Sequence, residues 1–246
     1  MHKLSPNDRR VLITRPQAKS AHLQTLLLSH QLYCLSYPLV QFSAKIAPLA
    51  QQSLLEADII IAVSENAVIF ANQQINDWPE SAQYYAVGKA TQQQFSLLEI
   101  SADSPEHATS EGLLALSHLA NVQNKHVVIL RGDGGREYLA QELDRRGARV
   151  EYVETYCREL VPVSHSDQVL QWQQEQINTI VVTSGEILQY LWDNIGEINR
   201  CWLKRLSLIV PSQRIVTIAE NLGFQAIELS NGADNESILK ILLNEC

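Results

Sequence analysis

The residues with the most chemistry in this chain stand just after short apolar runs. Thr14 and Arg15 follow Val11-Leu12-Ile13, Ser64 follows Ile59-Ile60-Ile61-Ala62-Val63, and Lys89 follows Tyr85-Ala86-Val87-Gly88. Arg131 and Arg136 bracket Gly132-Asp133-Gly134-Gly135 after Val127-Val128-Ile129-Leu130. Thr183 and Ser184 follow Ile180-Val181-Val182, and Ser212 follows Leu208-Ile209-Val210-Pro211. Small hydroxyl residues before a helix cap its first turn well, and the free N–H groups of such a turn attract anions. Thr183-Ser184-Gly185-Glu186 has the spacing of a capping box with Thr183 as the cap. Plain capping accounts for any one of these turns. It accounts less well for Arg15, Lys89, Arg131 and Arg136, because capping asks for no base immediately after a buried strand. The set points to an anionic ligand.

Other chemistries are poorly served. The glycines at 132, 134 and 135 lie between a strand and a helix, but a dinucleotide loop needs a further glycine at 137, where Glu137 stands. A glycine nest for a carboxylate is the better reading. Cys34, Cys157, Cys201 and Cys246 form no C-x-x-C pair, and the seven histidines are scattered without metal-binding spacing. No metal and no Ser–His or Cys–His catalysis is expected. Tyr37 and Tyr156 leave two readings open. Each is a packing residue with a bonded hydroxyl or a proton donor in a cleft.

These residues need a scaffold that gathers strand ends. The apolar runs at 11–14, 58–63, 84–87, 126–130, 179–183 and 207–210 look like buried parallel strands. Helical patterns over 17–30 and 136–146 alternate with them, which predicts an α/β doubly wound sheet. Four features also recur in order. Leu12-Ile13-Thr14-Arg15 matches Val128-Ile129-Leu130-Arg131, and Tyr33 to Tyr37 matches Tyr152 to Tyr156. Ile60-Ile61-Ala62-Val63-Ser64 matches Ile180-Val181-Val182-Thr183-Ser184, and Tyr85-Ala86-Val87-Gly88 matches Leu208-Ile209-Val210-Pro211. The offsets drift only from 116 to 123 residues. Two similar α/β lobes are therefore expected rather than one large sheet.

Charge narrows the partners. The 19 basic and 27 acidic residues give −8, which argues against a nucleic-acid binder. Between Ile46 and Asn124 there is one base, Lys89, against nine acids, while the rest of the chain carries eighteen of each. An acidic outer surface is expected there, with the cations turned to a locally positive cleft. No apolar run reaches membrane-spanning length, and the polar N-terminus has no signal-peptide pattern. A cytoplasmic protein is expected.

Taken together, Val11 to Pro16, Asp58 to Ala67, Ala86 to Thr91, Leu130-Arg131-Gly132 with Gly135-Arg136-Glu137, Val150 to Tyr156, and Thr183-Ser184 resemble the uroporphyrinogen-III synthase family, in the family's order and over nearly the whole chain. One departure is Pro211-Ser212-Gln213-Arg214, where a glycine–hydroxyl turn like Gly88-Lys89-Ala90-Thr91 is expected.

The resemblance implies two doubly wound, Rossmann/flavodoxin-like parallel-sheet lobes joined by a two-stranded linker near 37–42 and 154–161. Domain 1 would comprise 1–37 plus 158–246, and domain 2 would be inserted at 39–155. It implies that hydroxymethylbilane, a linear tetrapyrrole, is cyclised in the cleft between the lobes to uroporphyrinogen III. Water is lost, ring D is inverted, and no cofactor is used. Tyr156 would assist departure of the hydroxyl. Thr14, Arg15, Ser64, Lys89, Arg131, Arg136, Thr183, Ser184 and Ser212 would hold the substrate's carboxylates. A monomer is expected, receiving substrate from the enzyme that makes it, with no nucleic acid or membrane partner. The competing reading is a two-lobed binding module for an anionic small molecule, without catalysis.

Overall fold

Apolar runs of this kind become the centres of two sheets in the computed structural model, which describes residues 4–45, 50–135, 137–164 and 167–245. In chain order the elements are β1 (Arg10–Ile13), α1 (Gln17–Ser29), β2 (Tyr33–Ser36), β3 (Val40–Ala44), α2 (Ala50–Leu55), β4 (Ile59–Ala62), α3 (Glu65–Asn72), β5 (Gln83–Ala86), α4 (Lys89–Ser96) and β6 (Ala102–Asp103). They continue with α5 (Ser110–Leu114), β7 (His126–Gly132), α6 (Tyr138–Arg145), β8 (Arg149–Leu160), α7 (Gln168–Gln174), β9 (Thr179–Val181), α8 (Gly185–Asn194), α9 (Glu197–Leu203), β10 (Ser207–Val210), α10 (Gln213–Leu222), β11 (Ala226–Leu229) and α11 (Asn235–Leu242).

The chain divides into two compact units, Met1–Gln41 with Glu159–Cys246, and Phe42–Arg158. In the discontinuous unit the sheet runs β2-β1-β9-β10-β11, all parallel. Val11 and Ile13 of β1 share a cluster with Leu23 and Leu27 of α1 and Ile238 and Leu242 of α11. Leu12 between them is buried on the opposite face, as the two-residue strand period requires. Arg9, wholly buried, makes a bidentate pair with Glu228 of β11 at 2.9 and 3.0 Å.

In the continuous unit the order is β3-β8-β7-β4-β5-β6, parallel from β8 to β6. β3 runs against β8: Val161 N–H donates to the Leu39 carbonyl at 3.0 Å and Lys45 N–H to that of Thr155 at 2.9 Å. One face of this sheet packs Ile60, Val128, Leu130 and Val153 against Ala67, Val68 and Phe95 of α3 and α4. The other packs Ile59, Ile61, Val127 and Ile129 against Leu113 of α5 and Leu139 and Leu143 of α6. Each such aliphatic side chain, fully buried, stabilises the fold by about 1.5–3 kcal/mol.

Strands β7, β8, β4, β5 and β6 hold the same relative places in this sheet as β1, β2, β9, β10 and β11 in the other. Three edge strands, β3, β6 and β11, lack the continuous apolar run of a buried strand; β11 is only half-buried at every residue. No helix among the described residues is long and apolar enough to cross a membrane.

Candidate functional site

Tyr156 owes its position to one extra residue in β8. The strand pairs with β7 in even register from His126 opposite Arg149 to Arg131 opposite Glu154, but Gly132 then faces Tyr156. Thr155 is the inserted residue of a β-bulge. Before the bulge the side chains alternate, Tyr152 toward α6 and Val153 toward α3. Thr155 takes the α3 side, where its hydroxyl donates to the Ala67 carbonyl at 3.2 Å. Even alternation would send Tyr156 to the α6 side. The bulge keeps it on the α3 side instead, packed against that cluster. Bulges re-aim side chains in this way beside functional sites.

The phenol ring is held on three sides. It stacks on Phe70 (centroids 5.7 Å apart, 28°) and meets the edge of Phe42 (5.5 Å, 83°). Across the ladder lies Gly132, where a Cβ would come within 2.6 Å of the Tyr156 Cζ. The hydroxyl lies 3.0 Å from Ser64 Oγ, and Ser64 is the N-cap of α3, accepting the Ala67 N–H at 3.1 Å. Tyr37, its match in the sequence repeat, is placed otherwise. Its hydroxyl donates to the Pro162 carbonyl at 2.7 Å and its ring meets Trp172 edge-on at 5.3 Å. Burial pushes the Tyr37 phenol above its ordinary pKa. Packing is the better reading for Tyr37; for Tyr156 the hydroxyl meets a second hydroxyl rather than a carbonyl.

Arg131 corrects the expectation of a free cation. It points to the α6 side, where Glu137 Oε1 lies 2.9 Å from Nη1 and Glu154 Oε1 lies 3.8 Å from Nε. Burial works against its charge, and Glu137 with smaller help from Tyr152 and Glu154 more than offsets that, so its pKa stands above the ordinary value. The guanidinium lies 4.3 Å over the Tyr152 ring. Burial, followed by the Glu137 carboxylate, pushes the Tyr152 hydroxyl up to about 12. The Gly134 N–H faces Glu154, so the glycine turn already holds a carboxylate of the chain itself. Lys45 is the first cause of the lowered Glu154 pKa, and burial opposes it. A cavity of about 350 Å3 opens beside this cluster, lined by Val63, Val87, Thr109, Arg131, Gly134 and Tyr152. Arg136 lies outside the described residues.

Lys89 is the first residue of α4 and is exposed, with no ion-pair partner among the described residues. Of the nine acids between Ile46 and Asn124, seven are exposed: Glu56, Asp77, Glu80, Glu99, Asp103, Glu106 and Glu111. Asp58 pairs with Lys125 at 2.9 Å, and Glu65 lies in the first turn of α3.

In the other unit, Thr14 and Arg15, Thr183 and Ser184, and Ser212 lie at the carboxyl ends of the neighbouring strands β1, β9 and β10. The Thr14 hydroxyl is engaged, donating to the Val181 carbonyl at 2.8 Å. Arg15 is buried, with Nη1 2.6 Å from Asn235 Oδ1 and no partner for Nε among the described residues. Its pKa is lowered by that burial, against the pull of Asp234. The expected capping box does not form. Helix α8 begins at Gly185 with Ser184 as its N-cap, one residue later than the box requires. Ser184 and Ser212, the N-caps of α8 and α10, make no side-chain cap bond. The first N–H groups of both helices are thus left to a ligand or to water.

The structure therefore brings Ser64 and Tyr156 into contact and puts Arg131 on the opposite face of the same sheet. Phe42, Phe70, Thr155 and Glu154 escaped the sequence reading. Aromatics and a bulge near a tyrosine have no signature before the ladder register is known. No cluster of His, Cys, Asp and Glu among the described residues could hold a metal ion.

With this geometry in place, the family model for uroporphyrinogen-III synthase HemD matches residues 21–240. A uroporphyrinogen-III synthase of Escherichia coli strain K12 is 35% identical over 245 residues, covering 94% of this chain and 99% of that one. One of Salmonella typhimurium strain LT2 is 36% identical with the same coverage. In fold, the chain is similar to the crystal structure of uroporphyrinogen-III synthetase from Helicobacter pylori 26695, with a TM-score of 0.63, 13% identity, and coverage of 96% of this chain and 99% of that one.

Proposed function

Because the chain belongs to the uroporphyrinogen-III synthase family, we propose that it closes hydroxymethylbilane into uroporphyrinogen III, with inversion of ring D and loss of water. The observation that carries the reading is the Tyr156 hydroxyl, 3.0 Å from the Ser64 hydroxyl at the N-terminus of α3. The terminal hydroxyl of the substrate leaves as water only if a proton follows it. Tyr156 would donate a hydrogen bond to that oxygen. The azafulvene left on ring A is attacked by ring D at its substituted carbon, and the spiro intermediate fragments and recloses inverted. Closure without inversion competes in water. Holding the chain in one geometry is therefore the larger part of the task.

Acetate and propionate carboxylates give the protein its grip on such a chain. Arg15, Thr183, Ser184 and Ser212 are our candidates in one unit and Lys89 in the other. A lysine at the first position of a helix opposes the helix dipole, and a carboxylate bound at that turn would relieve the conflict. Thr14 and Arg131 enter as shapers of their turns, since their polar atoms are engaged within the protein.

In the same reading the two sheets are two similar doubly wound lobes connected through β3 and β8, with domain 1 at 1–37 plus 158–246 and domain 2 at 39–155. The matching strand orders support it. We also take the protein to act as a cytoplasmic monomer. Its exposed large apolar residues, such as Leu28, Leu97 and Ile198, are spread over different elements. Sedimentation as a dimer would refute the monomer.

Incubation with freshly made hydroxymethylbilane tests the activity: isomer III is expected, and formation of isomer I alone would refute it. For Tyr156→Phe the expected loss in kcat is about 10- to 100-fold, at or below the low end of a full general-acid contribution, as fits a hydrogen-bond donor. An unchanged rate would return Tyr156 to a packing role.

A further inference from the structure

We propose that Ser64 is a positioning residue for Tyr156. Its hydroxyl donates to the phenol oxygen, which turns the phenol's own O–H outward to the substrate. The inference rests on the reading of Tyr156 as hydrogen-bond donor to the leaving hydroxyl, and it reassigns Ser64 from the substrate to the tyrosine.

A serine oxygen has one proton to give and two lone pairs, and so has a phenol. One Ser64 lone pair takes the Ala67 N–H at 3.1 Å. The 3.0 Å contact with Tyr156 can run in either direction. Each choice leaves one O–H pointing away from the pair, because the pair has no other side-chain acceptor among the described residues. Two effects select the direction. An oxygen that accepts a hydrogen bond becomes a better donor, so bonds strengthen along a chain that runs one way. The Ser64 oxygen also lies at the N-terminus of α3, whose positive end draws electron density from it and favours donation over a second acceptance.

The resulting relay runs from Ala67 N–H to Ser64, from Ser64 to Tyr156, and from Tyr156 outward. As the leaving oxygen takes up the phenol's proton density, charge grows on the phenol oxygen, and the Ser64 O–H is already aimed at it. Donors set in advance toward developing charge lower the barrier without reorganising. Phe42 and Phe70 flank the ring with apolar surface and offer it no competing acceptor.

A double-mutant cycle tests the assignment. Ser64→Ala is expected to lower kcat about tenfold with KM changed less than about twofold, as for an interaction made only in the transition state. In a Tyr156→Phe background the same change should cost less than about twofold, because partners acting as a unit are not additive. Ser64→Thr, which keeps cap and donor, should restore most of the rate. Equal losses in both backgrounds, or a loss carried by KM, would place Ser64 on the substrate and overturn the proposal. A second readout needs no turnover. In protein labelled with 13C at the tyrosine Cζ, the Tyr156 resonance, assigned by its loss in Tyr156→Phe, should move in Ser64→Ala and return in Ser64→Thr. A resonance that stays in place overturns the relay even if the protein proves to be an active synthase. A resonance that moves in a protein making no isomer III leaves the Ser64–Tyr156 bond standing and removes the reaction.

Discussion

Gly132→Ala is expected to lower kcat about a hundredfold in a protein that still folds. The new methyl group would sit 2.6 Å from Cζ and 2.7 Å from Cε2 of Tyr156, far inside contact distance. The ring can give way only by disturbing Phe70, which stacks on one face, and Phe42, which abuts it. The backbone is pinned as well, since Asp133 N–H donates to the Tyr156 carbonyl at 3.0 Å. The phenol must swing or the bulge must shift, by roughly an ångström, and a displacement of that size costs about 100-fold in a reaction governed by geometry. The stability penalty of overpacking is smaller, about 1–3 kcal/mol. The loss should match the upper end of that expected for Tyr156→Phe, since both remove the same hydroxyl from its place. Kinetics beside a thermal melt decide the matter; a full-rate Gly132→Ala enzyme would mean that the Tyr156 ring has no fixed place in the reaction.

Glu228→Ala should destabilise the protein by about 3–5 kcal/mol, the usual cost of stranding one member of a buried ion pair. Arg9 has no exposed side-chain surface, and Glu228 supplies both of its close carboxylate contacts among the described residues. Ser207 Oγ holds Glu228 at 2.5 Å and Asn244 Oδ1 touches Arg9 at 3.3 Å, but neither replaces the lost charge. At about 2–4 °C per kcal/mol for a chain of this size, the melting temperature should fall by roughly 6–20 °C. The double change Arg9→Met with Glu228→Leu removes both charges and should recover most of that loss, as apolar replacement of buried pairs commonly does. A single mutant that melts with the wild type would show that water reaches Arg9.

The centres of the sheets were readable because their strands are buried on both faces and so appear as unbroken apolar runs, as at Ile59-Ile60-Ile61 and Val127-Val128-Ile129. The four recurring features were readable too, and they fall on strands with matching places in the two sheets. β11 was not, because Ala226-Ile227-Glu228-Leu229 is a half-buried edge with a charge in its middle. The roles of the two tyrosines were not separable from sequence. Tyr37 and Tyr156 close similar segments, and what divides them is a carbonyl at Pro162 in one case and the Ser64 hydroxyl, brought near by the Thr155 bulge, in the other. Arg131 looked free because Glu137 and Glu154 meet it only through the β7–α6 turn and the β8 register. The acidic stretch was legible in position, and most of its carboxylates face solvent.

The division of the chain also sets a timetable for its birth on the ribosome. Residues 42–158 are contiguous and bring their own sheet with them, so that part can close as soon as it emerges. β1 is made before that part yet waits for β9, whose first residue is Thr179. At about 5–20 residues per second, roughly 7–28 s pass between the emergence of Gln41 and that of Thr179. Through that interval one edge of β1 is open and Arg9 has no counter-charge, for Glu228 comes later still. A strand made before the contiguous unit is thus sealed only after it, and the nascent chain carries an unfinished strand edge past a neighbour whose own strands are all already made.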